Sequence, residues 1–153
     1  MSDKKSRRPG YLWSLVHHKC SRCRRGDMFQ CKNSYNLKQF MKMNDRCPVC
    51  DQKMEIEVGF YYGTSYVSYA LTVAFSVFTF VAWWVLIGFS IDDNRIFYWL
   101  TLNSVLLVFL QPIFMRLSRS IWLSWFVKYD PDWKEHQPDD VTERLNADQA
   151  NNW

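Results

Sequence analysis

Two cysteine pairs, Cys20-Ser-Arg-Cys23 and Cys47-Pro-Val-Cys50, stand with 23 residues between them in a chain of 153. A CxxC turn presents two thiolates to one cation, and two such turns close a tetrahedral four-sulfur site. Soft thiolates favour zinc, with iron as the alternative. The interval is slightly longer than is usual in a zinc ribbon, and a short helix at residues 37–43 would absorb the excess. A closed site has no open coordination position, so it is structural and does not activate water. Its binding energy helps to fold a domain too small to be held by its own core. The competing reading, plain reduced thiols or a redox pair, is disfavoured by two pairs at this spacing.

The other candidates for chemistry carry less. Cys31 is a spare ligand or, preferably, a half-buried thiol. His17 and His18 flank the first pair and are expected in flank or headgroup contacts, since four cysteines complete a ligand set without them. Metal knuckles often place Gly directly after the second Cys, where the backbone must turn. Here those positions hold Arg24 and Asp51. Asp tolerates a left-handed backbone better than most residues, and Gly26 is expected to take up part of the turn at Arg24. No Ser/His/Asp set, phosphate-cradling glycine loop or HExxH is present. The chain is therefore expected not to be an enzyme and to take no small-molecule substrate.

The elements that must position the cysteines differ sharply in composition. Residues 1–65 carry thirteen Lys/Arg against six Asp/Glu, whereas residues 130–153 carry two against seven, so the head is basic and the tail acidic. Met54-Glu-Ile-Glu-Val58 alternates apolar and charged, which predicts a half-buried strand. Between head and tail lie two uncharged runs, of 34 residues from Val58 to Ile91 and of 20 from Ile96 to Met115. Transmembrane helices are placed at about residues 66–89 and 96–115, lengths that suffice to cross the hydrocarbon. Phe60, Tyr61, Tyr62, Tyr66 and Tyr69 crowd one end of the first, and Trp83, Trp84 and Phe89 the other, as interfacial belts do. Aromatic residues make up 18% of the chain, more than a soluble core of this size needs. Asn103 and Gln111 read as helix–helix glue, and Pro112 predicts a kink near residues 108–112.

The predicted organisation is a flexible basic arm (1–10), a zinc-ribbon-like head with short strands (11–65), and an α-helical transmembrane hairpin of two helices (66–115). A basic amphipathic segment (116–129) and an acidic, largely disordered tail (130–153) follow. Ile113, Phe114, Leu117, Ile121, Trp122, Trp125 and Phe126 make the apolar side of that segment. Arg116, Arg119 and Lys128 make a basic, lipid-facing side. Whether this segment lies along the membrane or simply continues the second helix stays open from sequence. The basic flanks put both termini in the cytoplasm by the positive-inside rule, in a reducing setting where paired cysteines bind metal. No apolar h-region follows the basic start, so no signal peptide is expected. The cations Lys19, Arg22, Arg24, Arg25 and Lys32 are expected to meet anionic headgroups or a protein partner rather than nucleic acid.

Cys20-x-x-Cys23-x-x-Gly26-x-x-Phe29, Cys47-Pro-Val-Cys50 and the aromatic entry Gly59-Phe-Tyr-Tyr-Gly63 into a two-helix hairpin together resemble the domain of unknown function 983 family. These are small bacterial membrane proteins, and the resemblance covers about residues 12–130. The stretch Pro112 to Arg116 resembles the Bacteroidetes-type form, and the lack of Gly after Cys50 is a departure. The resemblance implies a multi-pass protein of the bacterial inner membrane, with the lipid bilayer and a membrane complex as its partners. In some proteobacteria similar genes lie beside cytochrome oxidase subunits and their assembly factors. The expected function is a non-enzymatic accessory or assembly factor with a structural zinc. The alternatives are a rubredoxin-like iron electron-transfer protein and a membrane-tethered nucleic-acid binder.

Overall fold

The computed structural model describes residues 9–57, 59–88 and 94–138. It contains a short helix α1 (Tyr11–Val16), a 3₁₀ turn at Phe60–Gly63, and two long helices, α2 (Thr64–Ile87) and α3 (Arg95–Phe126). Both long helices are long and apolar enough to cross a membrane, and 0% and 6% of their most apolar windows are buried in the protein. A core helix of a soluble protein would be mostly covered; these expose Leu86, Val85, Val108 and Phe78 instead.

The two helices pack as an antiparallel hairpin. Phe80 meets Trp99 and Phe75 meets Phe114 edge-on. Asn103 is buried between them: it accepts from Thr79 Oγ1 at 3.0 Å and donates to Ser76 Oγ at 3.3 Å. That bears out Asn103 as an interhelical clamp, since an amide with no water to bond seeks a partner across the helix pair. Gln111 is exposed. At the head end Gly63 lets α2 approach α3: a Cβ there would lie 2.2 Å from the Trp122 ring.

α3 is longer than the predicted crossing. Its 32 residues pass through Pro112 without interruption and rise about 48 Å, against ~30 Å of hydrocarbon. The surplus turns carry the head. Arg116, Ser118, Ser120, Leu123 and the following Val127 are buried, and Leu123 and Val127 belong to one apolar cluster with the four paired cysteines, Met28, Phe29 and Met54. Basic Arg116 and Arg119 therefore turn toward the head. On the apolar side of the predicted amphipathic pattern, Trp125 and Phe126 are exposed and Ile121 is half-buried.

The expected zinc-ribbon strands do not form among the described residues. Only isolated bridges occur, Lys19 with Asp27, Phe29 with Met43 and Arg46 with Lys53. The alternation at 54–57 is real, with Met54 buried, Ile56 half-buried and both glutamates exposed. Pairing is limited to its start, where Lys53 bridges Arg46 and the Met54 N–H bonds the Asp45 carbonyl, and the chain turns at Gly59, which has a left-handed φ of 79°. The short helix expected at 37–43 is replaced by two turns, Gln39 N–H to Asn36 and Lys42 N–H to Gln39. The carbonyls of Phe40 and Met41 bond Arg116 and Arg119 of α3. Residues 130–138, which precede the disorder expected past about residue 138, form turns against the head; positions 139–153 lie outside the described residues, as do 1–8 of the basic arm.

Candidate metal centre

Both cysteine pairs sit on the same local device. The Arg24 N–H bonds the Cys20 carbonyl at 2.8 Å, and the Asp51 N–H bonds that of Cys47 at 3.0 Å. Each turn closes on a left-handed residue, Arg24 at φ 55° and Asp51 at φ 57°, the positions that often hold glycine in such knuckles. Their side chains brace this unfavourable backbone. The Arg24 guanidinium lies 3.9 Å from the Tyr129 ring centroid, while Asp51 pairs with Arg46 at 2.9 Å.

The two knuckles bring Cys20, Cys23, Cys47 and Cys50 together, all buried, with the four sulfurs within 4.8 Å of one another. The Cys20–Cys50 and Cys23–Cys47 separations are both 3.7 Å. These are far too long for disulfides, whose sulfurs sit ~2.05 Å apart. They match the edge of a tetrahedron with metal–sulfur bonds of ~2.3 Å, about 3.8 Å. The donor set thus fits one tetrahedral ion, and these four side chains would hold it. The Val49 N–H points at Cys47 Sγ at 3.5 Å, the kind of contact that orients a ligating thiolate.

Four thiols in one shell must share protons. Hydrogen bonding with Cys20 holds Cys23 well below the ordinary thiol range and Cys47 at about 7. Bonds to Cys23, Cys47 and Cys50 drive Cys20 upward. A divalent ion replaces that sharing with four thiolates and releases protons as it binds.

Gly26 has a different role from the one expected. Its backbone carbonyl accepts from Cys20 N–H at 2.8 Å, and a Cβ on it would lie 2.3 Å from Cys47 Sγ. Glycine is needed for closeness to sulfur rather than for turning. Gly26→Ala should therefore drop the metal content of the purified protein from one ion per chain to a small fraction. Gly10→Ala, whose Cβ meets nothing closer than 4.0 Å, should retain it; equal retention by both would contradict this role.

The remaining predicted residues lie outside the sulfur quartet. Cys31 is half-buried, near the Asn33 carbonyl and the Asn36 amide. His17 stacks on Trp13 with centroids 4.3 Å apart. His18 shares a 3.1 Å hydrogen bond with Ser120 Oγ, and burial, with Arg116 and His17 adding to it, lowers its pKa to about 4. Of Arg116, Arg119 and Lys128, the side expected to face lipid, only Lys128 is exposed. Arg116, 1% exposed, donates to the carbonyls of Phe40 (2.7 Å), Lys32 and Asn33 (both 3.2 Å). Arg119 donates to the Met41 carbonyl and lies over Tyr61. Arg22 is also buried and donates to the Asp130 carboxylate and to the carbonyls of His136 and Gln137. The start of the acidic tail thus straps onto the first knuckle. The opposite net charges of head and tail were the sequence signal for this contact.

Fold and site define a class: a four-cysteine knuckle head seated on the extended end of an apolar two-helix hairpin. The chain belongs to the family described as Protein of unknown function (DUF983), which matches residues 37–126. The match takes in the second knuckle and both long helices and begins after the first knuckle, so it is shorter than the resemblance read from sequence. No curated protein and no solved structure matches the chain significantly.

Proposed function

We propose that this protein is a non-enzymatic accessory or scaffold factor of a membrane complex, with a zinc-stiffened head at the cytoplasmic face of a bacterial inner membrane. The observation that carries the reading is the locked, closed site. Four buried sulfurs share one core with Leu123 and Val127 at the end of α3. The metal thereby sets the shape of a head that cannot swing on its anchor, which suits a docking surface better than a reaction centre. The excess of Lys and Arg on the head side supports a cytoplasmic head. The gene neighbourhoods noted for similar proteins favour a respiratory oxidase as the complex.

Affinity capture from gently solubilised membranes should retain a partner complex with the wild-type chain and lose it with Cys47→Ser. Capture of the same complex by both would remove a metal-dependent docking role. The same four thiolates also suit a single iron, as in rubredoxin-like electron carriers. Metal analysis with a visible spectrum separates the two: colourless protein with one zinc supports the scaffold, and red protein with one iron supports electron transfer.

A further inference from the structure

A second site lies on the membrane side of the head. A cavity of about 430 Å³ opens between α1, the loop of residues 31–43 and α3, lined by Trp13, Val16, Lys32, Ser34 and Arg116 among others. The loop beside it reaches α3 through a hydrogen bond from the Tyr35 hydroxyl to the Phe109 carbonyl at 3.2 Å. Phe109 lies within the uncharged run of α3, about 10 Å along the helix from Arg116 toward the apolar centre. The apolar part of the lining is uncovered: Trp13 and Val16 on α1 are 49% and 63% exposed.

The charge of the cavity has no answer within the fold. Lys19 is paired with Asp27 at 2.5 Å. Arg116 is buried, uses its donors on neutral carbonyls, and has no carboxylate partner among the described residues. Lys32 stands exposed at the mouth. A desolvated cation facing an open cavity attracts an anion more strongly than a hydrated one does. Cations below and apolar side chains around the rim, at the level where a helix enters hydrocarbon, complement a charged headgroup with acyl chains attached.

We propose that this cavity binds the phosphate of an anionic phospholipid, with Lys32 and Arg116 supplying the charge and Trp13 and Val16 meeting the chains. The site rests on the reading of α2 and α3 as membrane-spanning, and it is separate from the metal centre.

Cys31 lies in the cavity wall and serves as a native reporter. The full-length, metal-loaded protein is placed in phosphatidylcholine nanodiscs with increasing phosphatidylglycerol, and alkylation of Cys31 by a neutral maleimide is followed by peptide mass mapping. Phosphatidylglycerol should slow alkylation several-fold. Lys32→Ala should raise the fraction of phosphatidylglycerol needed by about fivefold. Inorganic phosphate in phosphatidylcholine nanodiscs should have no effect. Equal protection by inorganic phosphate, or no protection by phosphatidylglycerol, overturns the lipid site. Resistance of the native protein to extraction from membranes by alkaline carbonate is scored separately. A protein that resists extraction yet shows no protection refutes the lipid site alone, whereas one that washes off refutes the membrane reading beneath it.

Discussion

Removing the metal is expected to unfold the head and leave the hairpin intact. Four of the nine residues in the head's buried cluster are the paired cysteines, and no β-ladder among the described residues holds the surrounding loops. Without the ion, the centre of the head becomes four thiols competing for protons, with Met28, Phe29 and Met54 too few to close a core around them. Structural zinc sites supply roughly 10–16 kcal/mol of apparent binding free energy, more than the ~5–15 kcal/mol net stability of a whole domain. A chelator should therefore make residues 17–57 trypsin-sensitive while far-ultraviolet circular dichroism, dominated by α2 and α3, changes little. Cys20→Ser should behave alike without chelator. Acid should have the same effect, because the thiolates must take up protons for the ion to leave; the metal-held state persists at neutral pH and is lost as pH falls. A metal-free chain that keeps its head protease-resistant would show that the ion is incidental to folding.

Arg116→Met should strongly destabilise the head even with the metal in place. The guanidinium bonds three backbone carbonyls of the 31–43 loop and sits over the Phe29 ring, 4.7 Å from its centroid. Methionine matches its length but leaves those carbonyls without their donor, at ~1–3 kcal/mol for each that stays buried. A total near 3 kcal/mol lowers the melting temperature of the metal-loaded protein by about 10 °C. Trypsin should also cut faster after Lys38 and Lys42 as the loop comes free. Arg116→Lys keeps the charge but not the planar fork, so it should fall between the two. Unchanged melting and unchanged cleavage in Arg116→Met would mean that the loop is held by something else.

Much of the centre was legible because its signals are local. CxxC turns are built from adjacent residues, and the knuckle positions after each pair, Arg24 and Asp51, were already marked as needing a left-handed backbone. The missing sheet was harder to see. Met54 and Ile56 keep the period of a strand because they face a core, and period alone cannot tell whether another segment runs alongside. The roles of Arg22 and Arg116 depend on partners 76 to 115 residues away. No local pattern records such contacts. The amphipathic stretch after Met115 was read against the membrane surface, so its basic side was turned toward lipid. Arg116, Ser120, Leu123 and Val127, at spacings of four, three and four, are in fact the buried stripe.

The sequence by itself determined the four clustered cysteines, the two apolar helices and the family, since thiol spacing and apolar length are properties of residue type and run. The tertiary structure decided that the head has loops in place of strands and that α3 extends far enough to become part of its core. It also decided that Arg22 and Arg116, both expected to face headgroups, make their hydrogen bonds inside the protein. The physical reason is common to all three. The second of the two long apolar helices also supplies the surface on which the head folds, and the best use of a buried guanidinium there is to bond carbonyls that no strand or helix has satisfied.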